Sequence, residues 1–303
     1  MQLFPKKLSQ IYLVLFVSAF LTITGNFTFF QKTILIYPLS ENWLFLGSLF
    51  FFLFTFLAAL LLLFCYRVTT KPILIALLMI SAIVSYSTNN YGIVFDHNMI
   101  LNTFETDTSE FLDLVSFKSI LYFFIFGLLP SIFVLKVKLI KISFKAQLWE
   151  RIKTFLVLVI IFVIIVLTFS KHYSSFAREN RDLRLYITPT YYLYSATKFV
   201  DSKFATSTKP FKEIGLDAKL NKKSDTRRLV ILVVGETARA DHMSLNGYDR
   251  NTNPYLEQEE IISFDKMTSC GTDTALSVPC MFSLLDRSSY NHAKGKNMSN
   301  VLD

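Results

Sequence analysis

Three places in this sequence gather side chains able to do chemistry. The first is Glu236, which follows Gly235 and the run Leu229 to Val234. That run, Leu-Val-Ile-Leu-Val-Val, is aliphatic throughout and reads as a strand buried on both faces of a covered sheet. Ligand crevices in α/β sheets open at the carboxyl ends of strands, and a carboxylate buried there needs a cation or donors to compensate it. The position suits a metal ligand; a carboxylate capping the next helix is the competing reading. The second place is the loop Cys270-Gly-Thr-Asp-Thr-Ala-Leu-Ser-Val-Pro-Cys280. A disulfide across it would hold its threonines rigidly, and a hydroxyl becomes a useful nucleophile only beside a base or metal that activates it. Ser/Thr-rich loops are also common without catalysis. The third is Asn102, Thr106 and Glu110, which recur every four residues. On a helix that spacing keeps them within about 80° on one face. An amide, a hydroxyl and a carboxylate in line would grip an ammonium-bearing headgroup, although a solvated helix face has the same pattern.

Histidine, a frequent zinc ligand, is scarce. It occurs at His97, His172, His242 and His292, and their spacing gives no complete zinc site. His242, inside Arg239-Ala-Asp-His-Met243, is read as structural. Cys65 lies in an apolar run and is read as inert packing.

The elements that must position these residues are dominated by membrane spans. Of the 303 residues 52% are hydrophobic and 31 are Phe, too apolar for an ordinary soluble fold. Five stretches lack Asp, Glu, Lys and Arg: Leu8 to Phe30, Leu44 to Tyr66, Pro72 to Thr88, Ser119 to Leu135 and Thr154 to Ser170. Each reaches the minimum of about 17 residues needed to cross a hydrocarbon core. Lys6 and Lys7 precede the first run as they would a cleaved signal peptide, but the run is too long for one and no small-residue cleavage pattern follows. The Phe-rich stretch Phe50 to Phe56 reads as lipid-facing bulk.

Basic residues set the orientation, because short loops retain them on the cytoplasmic side. Lys6 and Lys7 precede the first run, Arg67 and Lys71 separate the second and third, and Lys136, Lys138, Lys141, Lys145, Arg151 and Lys153 separate the fourth and fifth. The loop between the third and fourth runs is acidic. The N-terminus is therefore expected inside, with everything after Ser170 outside. Lys171, Arg178, Arg181 and Arg184 resist this assignment but are outnumbered by the preceding basic loop. The net charge of +8 sits mainly at membrane flanks, where headgroups explain it, and no module for binding nucleic acid accompanies it.

From Lys171 to Arg228 the composition turns mixed polar, with Tyr186, Tyr191, Tyr192 and Tyr194 among basic residues. This reads as an interfacial bridging helix and linker, since Tyr beside Lys or Arg suits the headgroup layer. The expected domains are thus residues 1–170, 171–228 and 229–303. The last opens an α/β domain and closes near Ser299 and Asn300, which resemble a helix N-cap. A doubly covered sheet needs more chain than this, so the sequence is expected to be part of a longer one.

With these residues in view, the chain resembles the phosphoethanolamine transferases that modify lipid A, including the mobile colistin-resistance enzymes. The resemblance spans essentially all of it. Its specific segments are Val233-Val-Gly-Glu-Thr-Ala-Arg through Pro254, and Ser269-Cys-Gly-Thr-Asp-Thr-Ala-Leu-Ser-Val-Pro-Cys-Met-Phe-Ser283. Tyr91 to Asp96, Met99 and Asn102 to Glu110 also look like the family's substrate-contacting stretch. The resemblance implies five membrane helices, a bridging helix and a periplasmic alkaline-phosphatase/sulfatase-like α/β domain. It further implies that Glu236 ligates catalytic Zn2+, that Thr274 is both zinc ligand and nucleophile, and that Cys270 and Cys280 are bridged. Tyr91, Asn102, Thr106 and Glu110 would contact the lipid headgroup. The donor would be phosphatidylethanolamine and the acceptor lipid A or another lipopolysaccharide group, at the bacterial inner membrane. The family's remaining zinc ligands have no counterparts before Asp303, so these 303 residues alone are expected to be inert.

Rival classes make different demands. A transporter would place ionisable residues at membrane depth, and the five runs carry none. A metal-free scaffold would tolerate Thr274→Ala and Glu236→Ala. Glycerophosphate transferases share the anchor and the threonine, but the two quoted segments favour phosphoethanolamine transfer.

Overall fold

In lipid, a backbone without water must satisfy its own polar groups, and a helix does so within one segment. The charge-free runs accordingly fold as helices. The computed structural model describes residues 7–105, 115–204, 211–217, 219, 229–235, 238–264, 266–272 and 274–290. The chain divides into two units, residues 1–204 and 205–303.

The first unit opens with α1 (Gln10–Gly25) and α2 (Phe27–Ile36), which meet at a bend of 58°. The expected single run Leu8 to Phe30 is therefore two helices that meet at a bend. The break falls at Asn26, whose backbone leaves the helical region at φ −115° and ψ 23°. Its buried side-chain amide donates to Thr188 O at 2.8 Å and accepts from Thr188 N at 2.9 Å. Irregular backbone at membrane depth is tolerated where protein satisfies it, and Thr188 and Asn26 satisfy each other. Thr188 is joined to Pro189 by a cis peptide.

Helices α3 (Leu39–Phe64) and α4 (Thr70–Tyr91) are each long and apolar enough to span a bilayer. A shorter helix, α5 (His97–Glu105), begins at Asp96, whose carboxylate accepts from Met99 N at 2.8 Å. Two more helices of spanning length follow, α6 (Phe117–Lys136) and α7 (Phe144–Thr168). Counting the bent pair as one, the described residues give five spans. Pro130 has no N–H to continue the helical ladder, and α6 widens into a π-helical turn over Phe124–Leu128 just before it. Ser131 Oγ donates to Gly127 O at 2.6 Å, which satisfies a carbonyl within that turn.

α3 and α7 run antiparallel, with Phe52 against Phe162 at a ring separation of 4.8 Å. Phe52 and Phe54 are half-buried, so the Phe-rich stretch is shared between core and lipid and is not all lipid-facing. α7 starts well before the expected Thr154 and takes in Arg151, which is only 7% exposed. Its guanidinium donates to the carbonyls of Leu62 and Cys65 and lies 4.0 Å from the Tyr66 ring centroid. The last carbonyls of α3 lack helical partners, and a cation there also meets the negative end of the helix dipole. Gln10 Nε2 donates to Cys65 O at 2.5 Å and to Thr70 Oγ1 at 2.6 Å, tying the start of α1 to the same corner. At that end Leu8 also pairs with the basic α6–α7 loop, through Leu8 N to Lys138 O at 3.0 Å and Ile140 N to Leu8 O at 3.1 Å.

Beyond α7 the chain forms α8 (Ser170–Glu179), a 3-10 turn over Arg181–Tyr186 and α9 (Thr190–Phe204). His172, Tyr173 and Phe176 of α8 lie 5.3, 5.5 and 5.8 Å from the ring of Phe45 near the start of α3. Tyr192 of α9 is buried, and its hydroxyl is 3.1 Å from Ser81 Oγ on α4. It is a core residue, whereas an interfacial ring was expected.

In the second unit Leu229 to Val233 are 61–86% exposed and join no sheet among the described residues. A strand is held by partners for its N–H and C=O groups, and the described residues offer this run none. Short 3-10 turns follow at Ala240–His242, Ser244–Asn246 and Leu256–Gln258, and then α10 (Thr274–Met281). Ser299 and Asn300 lie outside the described residues.

Candidate active site

The membrane unit carries a polar pole where α4 ends. Gly92 closes α4 in the left-handed region at φ +69°, and Thr88 Oγ1 donates to Ile93 O at 2.9 Å. Tyr91, the last residue of the helix, is 54% exposed and meets Tyr86 edge to face at 5.9 Å. Tyr86 OH is 3.1 Å from Ser116 Oγ, where a capping box between Ser116 and Ser119 starts α6. Asn89 Nδ2 donates to Tyr122 OH at 3.3 Å, and Lys118 Nζ donates to Asn90 Oδ1 at 2.6 Å. Asn102 lies on α5 and is half-buried, with His97 of the same helix 6.0 Å from the Phe199 ring of α9. Thr106 and Glu110 fall outside the described residues. The structure sets Tyr91 at this pole beside Asn89, Asn90 and Lys118, which the sequence reading did not single out, although a pair of amides ends the apolar span there.

In the second unit Thr274 is the first residue of α10 and its side chain is exposed. Cys270 and Cys280 are joined by a disulfide with Cα atoms 6.3 Å apart, so the bridge fastens the end of this helix to the loop before its start. The Ser269 hydroxyl reinforces that loop: it donates to Gly271 O at 2.6 Å and lies 2.7 Å from Ser277 Oγ. A Cβ at Gly271 would stand 2.5 Å from Leu276 Cδ2, so a larger residue here would have to displace the Leu276 side chain. Glu236 lies outside the described residues.

The segment between these two motifs braces itself. Arg239 forks onto Asp241 at 2.9 and 2.6 Å, and His242 Nδ1 is 2.9 Å from Asp241 Oδ1. The guanidinium, and then the imidazole, hold the Asp241 carboxyl well below the usual carboxylate range. Thr252 Oγ1 donates to His242 O at 2.8 Å and accepts from Ser244 N at 2.9 Å. His242 is thus engaged with Asp241 on one ring nitrogen and with Tyr248 at a ring separation of 4.8 Å.

A catalytic zinc site takes three protein ligands as a rule. Among the described residues no three His, Cys, Asp or Glu side chains converge to hold a metal ion. Of the expected pair only the Thr274 hydroxyl is described, so these residues do not by themselves make a zinc site.

The first unit holds helices long and apolar enough to cross a membrane, and residues 228–303, at the other end of the chain, match the sulfatase family. Residues 53–204, just over half of the chain, match the family described as phosphoethanolamine transferase EptA/EptB, and the chain belongs to that family. It is 39% identical over 306 aligned residues to phosphatidylethanolamine transferase Mcr-1 of Escherichia coli, covering 99% of this chain and 57% of that protein. Phosphoethanolamine transferase EptA of Salmonella typhimurium is 29% identical, with 98% of this chain and 55% of that one covered. The integral membrane lipooligosaccharide phosphoethanolamine transferase A of Neisseria meningitidis superposes with a TM-score of 0.89 at 30% identity, over 99% of this chain and 56% of that chain. The chain therefore spans a little over half the length of these relatives.

Proposed function

We propose that this protein transfers phosphoethanolamine from phosphatidylethanolamine to a phosphate of lipid A through a covalent intermediate on Thr274. The observation that carries the proposal is the exposed hydroxyl at the first residue of a disulfide-fastened helix, in a chain of the EptA/EptB family. The first-turn amides of a helix have no intrahelical acceptor and carry partial positive charge, which favours a phosphoryl group at that end.

In the first step Thr274 Oγ bonds to the donor phosphorus while the bond to the diacylglycerol oxygen breaks. That oxygen leaves with a proton as diacylglycerol. In the second step a lipid A phosphate oxygen attacks the same phosphorus and Thr274 recovers its hydroxyl. Splitting one displacement into two is the usual gain of covalent catalysis. Glu236 and Thr274 would hold Zn2+, which, when bound, supplies a Lewis acid that makes the hydroxyl acidic and stabilises charge on the phosphoryl oxygens. Tyr91, Asn102, Thr106 and Glu110 would orient the donor headgroup, the carboxylate facing its ammonium. The name of the Escherichia coli relative gives phosphatidylethanolamine and that of the Neisseria relative gives lipooligosaccharide.

The setting we propose is the bacterial inner membrane, with the N-terminus cytoplasmic and the second unit periplasmic. Two features support it: the basic loop joins Leu8 at one end of the bundle, and a disulfide belongs to an oxidising compartment. Mass spectrometry of lipid A from cells expressing the complete gene tests the reading. Wild type should add phosphoethanolamine and Thr274→Ala should not; an unmodified lipid A in both removes lipid A as the acceptor.

A further inference from the structure

Two of the four cations that resisted the orientation rule, Arg181 and Arg184, mark a second feature of the membrane unit, one that the transfer reaction leaves unused. A groove of about 470 Å³ opens between α2, α3, α7 and α8, within the range of about 300 to 1,000 Å³ common for ligand sites. Leu49, Leu53 and Val166 form its apolar wall, and Asn180, Arg181 and Arg184 stand at its mouth. The two arginines sit in a 3-10 turn, where three residues per turn set side chains three apart on one face. Leu183 of the same turn is buried and anchors it. Arg178 pairs with Glu179 at 3.5 Å, but among the described residues neither Arg181 nor Arg184 has an ion-pair partner. No acidic side chain is among the groove's described lining residues. The mouth lies 12 to 16 residues past Thr168, where the last span ends, and the wall lies within the spans themselves.

We propose that this groove binds one anionic phospholipid of the phosphatidylglycerol type. An acyl chain lies along Leu49, Leu53 and Val166, and the phosphate accepts hydrogen bonds from Arg181, Arg184 and the Asn180 amide. The occupant is anionic because the mouth presents two guanidinium groups and no carboxylate for an ammonium. The site is separate from the pole around Tyr91 and does not depend on the transfer reaction.

Native mass spectrometry of the full chain in detergent, titrated with phosphatidylglycerol or phosphatidylethanolamine of identical acyl chains, tests this. Wild type should retain one phosphatidylglycerol with an affinity about 30-fold above that for phosphatidylethanolamine, since two arginines at about 1 kcal/mol each near an anionic surface give about 2 kcal/mol. Arg181→Gln with Arg184→Gln should abolish the preference, and Ala177→Trp, which fills the groove, should weaken both lipids; circular dichroism checks each fold. Equal retention of the two lipids by wild type overturns the proposal without need of any variant. So does a preference that survives the double substitution, or phosphatidylglycerol binding that Ala177→Trp leaves unchanged.

Discussion

Arg151 shows how much one side chain can settle. Counted along the sequence it is one more basic loop residue; in the fold it closes the open end of α3, its charge set against the carbonyls of Leu62 and Cys65. Arg151→Met keeps the apolar stem but takes the donor from the buried Leu62 carbonyl and leaves the Cys65 carbonyl with Gln10 alone, and an unsatisfied buried group costs about 1 to 3 kcal/mol. The thermal unfolding midpoint in detergent should fall, and Arg151→Lys should recover part of the loss, because one ammonium cannot reproduce the guanidinium fork. Asn26 makes a second test. Asn26→Ala strands both backbone groups of Thr188, and Asn26→Asp retains the acceptor while setting a carboxylate against Thr188 O. Both should destabilise, Asn26→Asp by more. Neither partnership was legible in the sequence, since each joins residues that local spacing cannot connect. Tyr91 and Thr274 could be named as candidates because long motifs carry them.

At the scale of elements, spans were readable and their breaks were not. Hydropathy reports length, whereas the bend at Asn26 depends on Thr188, and the π-helical turn in α6 depends on Pro130. The strand expected at Leu229 to Val234 shows the reverse limit: an aliphatic run states a preference, and a ladder requires a partner. Tyr192 of α9 was expected in the headgroup layer, yet its ring packs into the helical core beside Ser81. Burial pushes this phenol up to about 12, against the Ser81 hydrogen bond, which lowers it. A folded-state value above the unfolded one of about 10 means that the native state keeps its proton longer. Its contribution is full below pH 10 and is lost as pH rises from about 10 to about 12. Tyr192→Phe should therefore lose less stability than wild type across that window, measured by fluorescence-detected unfolding. In the second unit, Cys270→Ser with Cys280→Ser should cost about 2 to 3 kcal/mol by the loop-entropy estimate and release the start of α10. The readout is faster amide hydrogen exchange across Thr274–Met281.

For the whole molecule the account predicts a sided protein. A membrane-impermeant thiol reagent applied to intact inner-membrane spheroplasts should label Asp249→Cys and spare Lys145→Cys; the opposite pattern would place the chemistry in the cytoplasm. The charge-free runs stop at Ser170, which any reading of the sequence sees, whereas the two units divide later along the chain, at residues 204/205. The disulfide that fastens the Thr274 loop was legible too, but the contact of Gly271 with Leu276 and the Ser269–Ser277 pair were not, because they exist only once the loop has closed.

The central claim concerns one covalent bond, and peptide mapping addresses it directly. Protein isolated from cells expressing the complete gene, quenched in acid and digested, should yield the peptide containing Thr274 with phosphoethanolamine esterified to that hydroxyl. The adduct should vanish in Thr274→Ala along with lipid A modification. An adduct on another residue, or lipid A still modified by Thr274→Ala, would contradict the account.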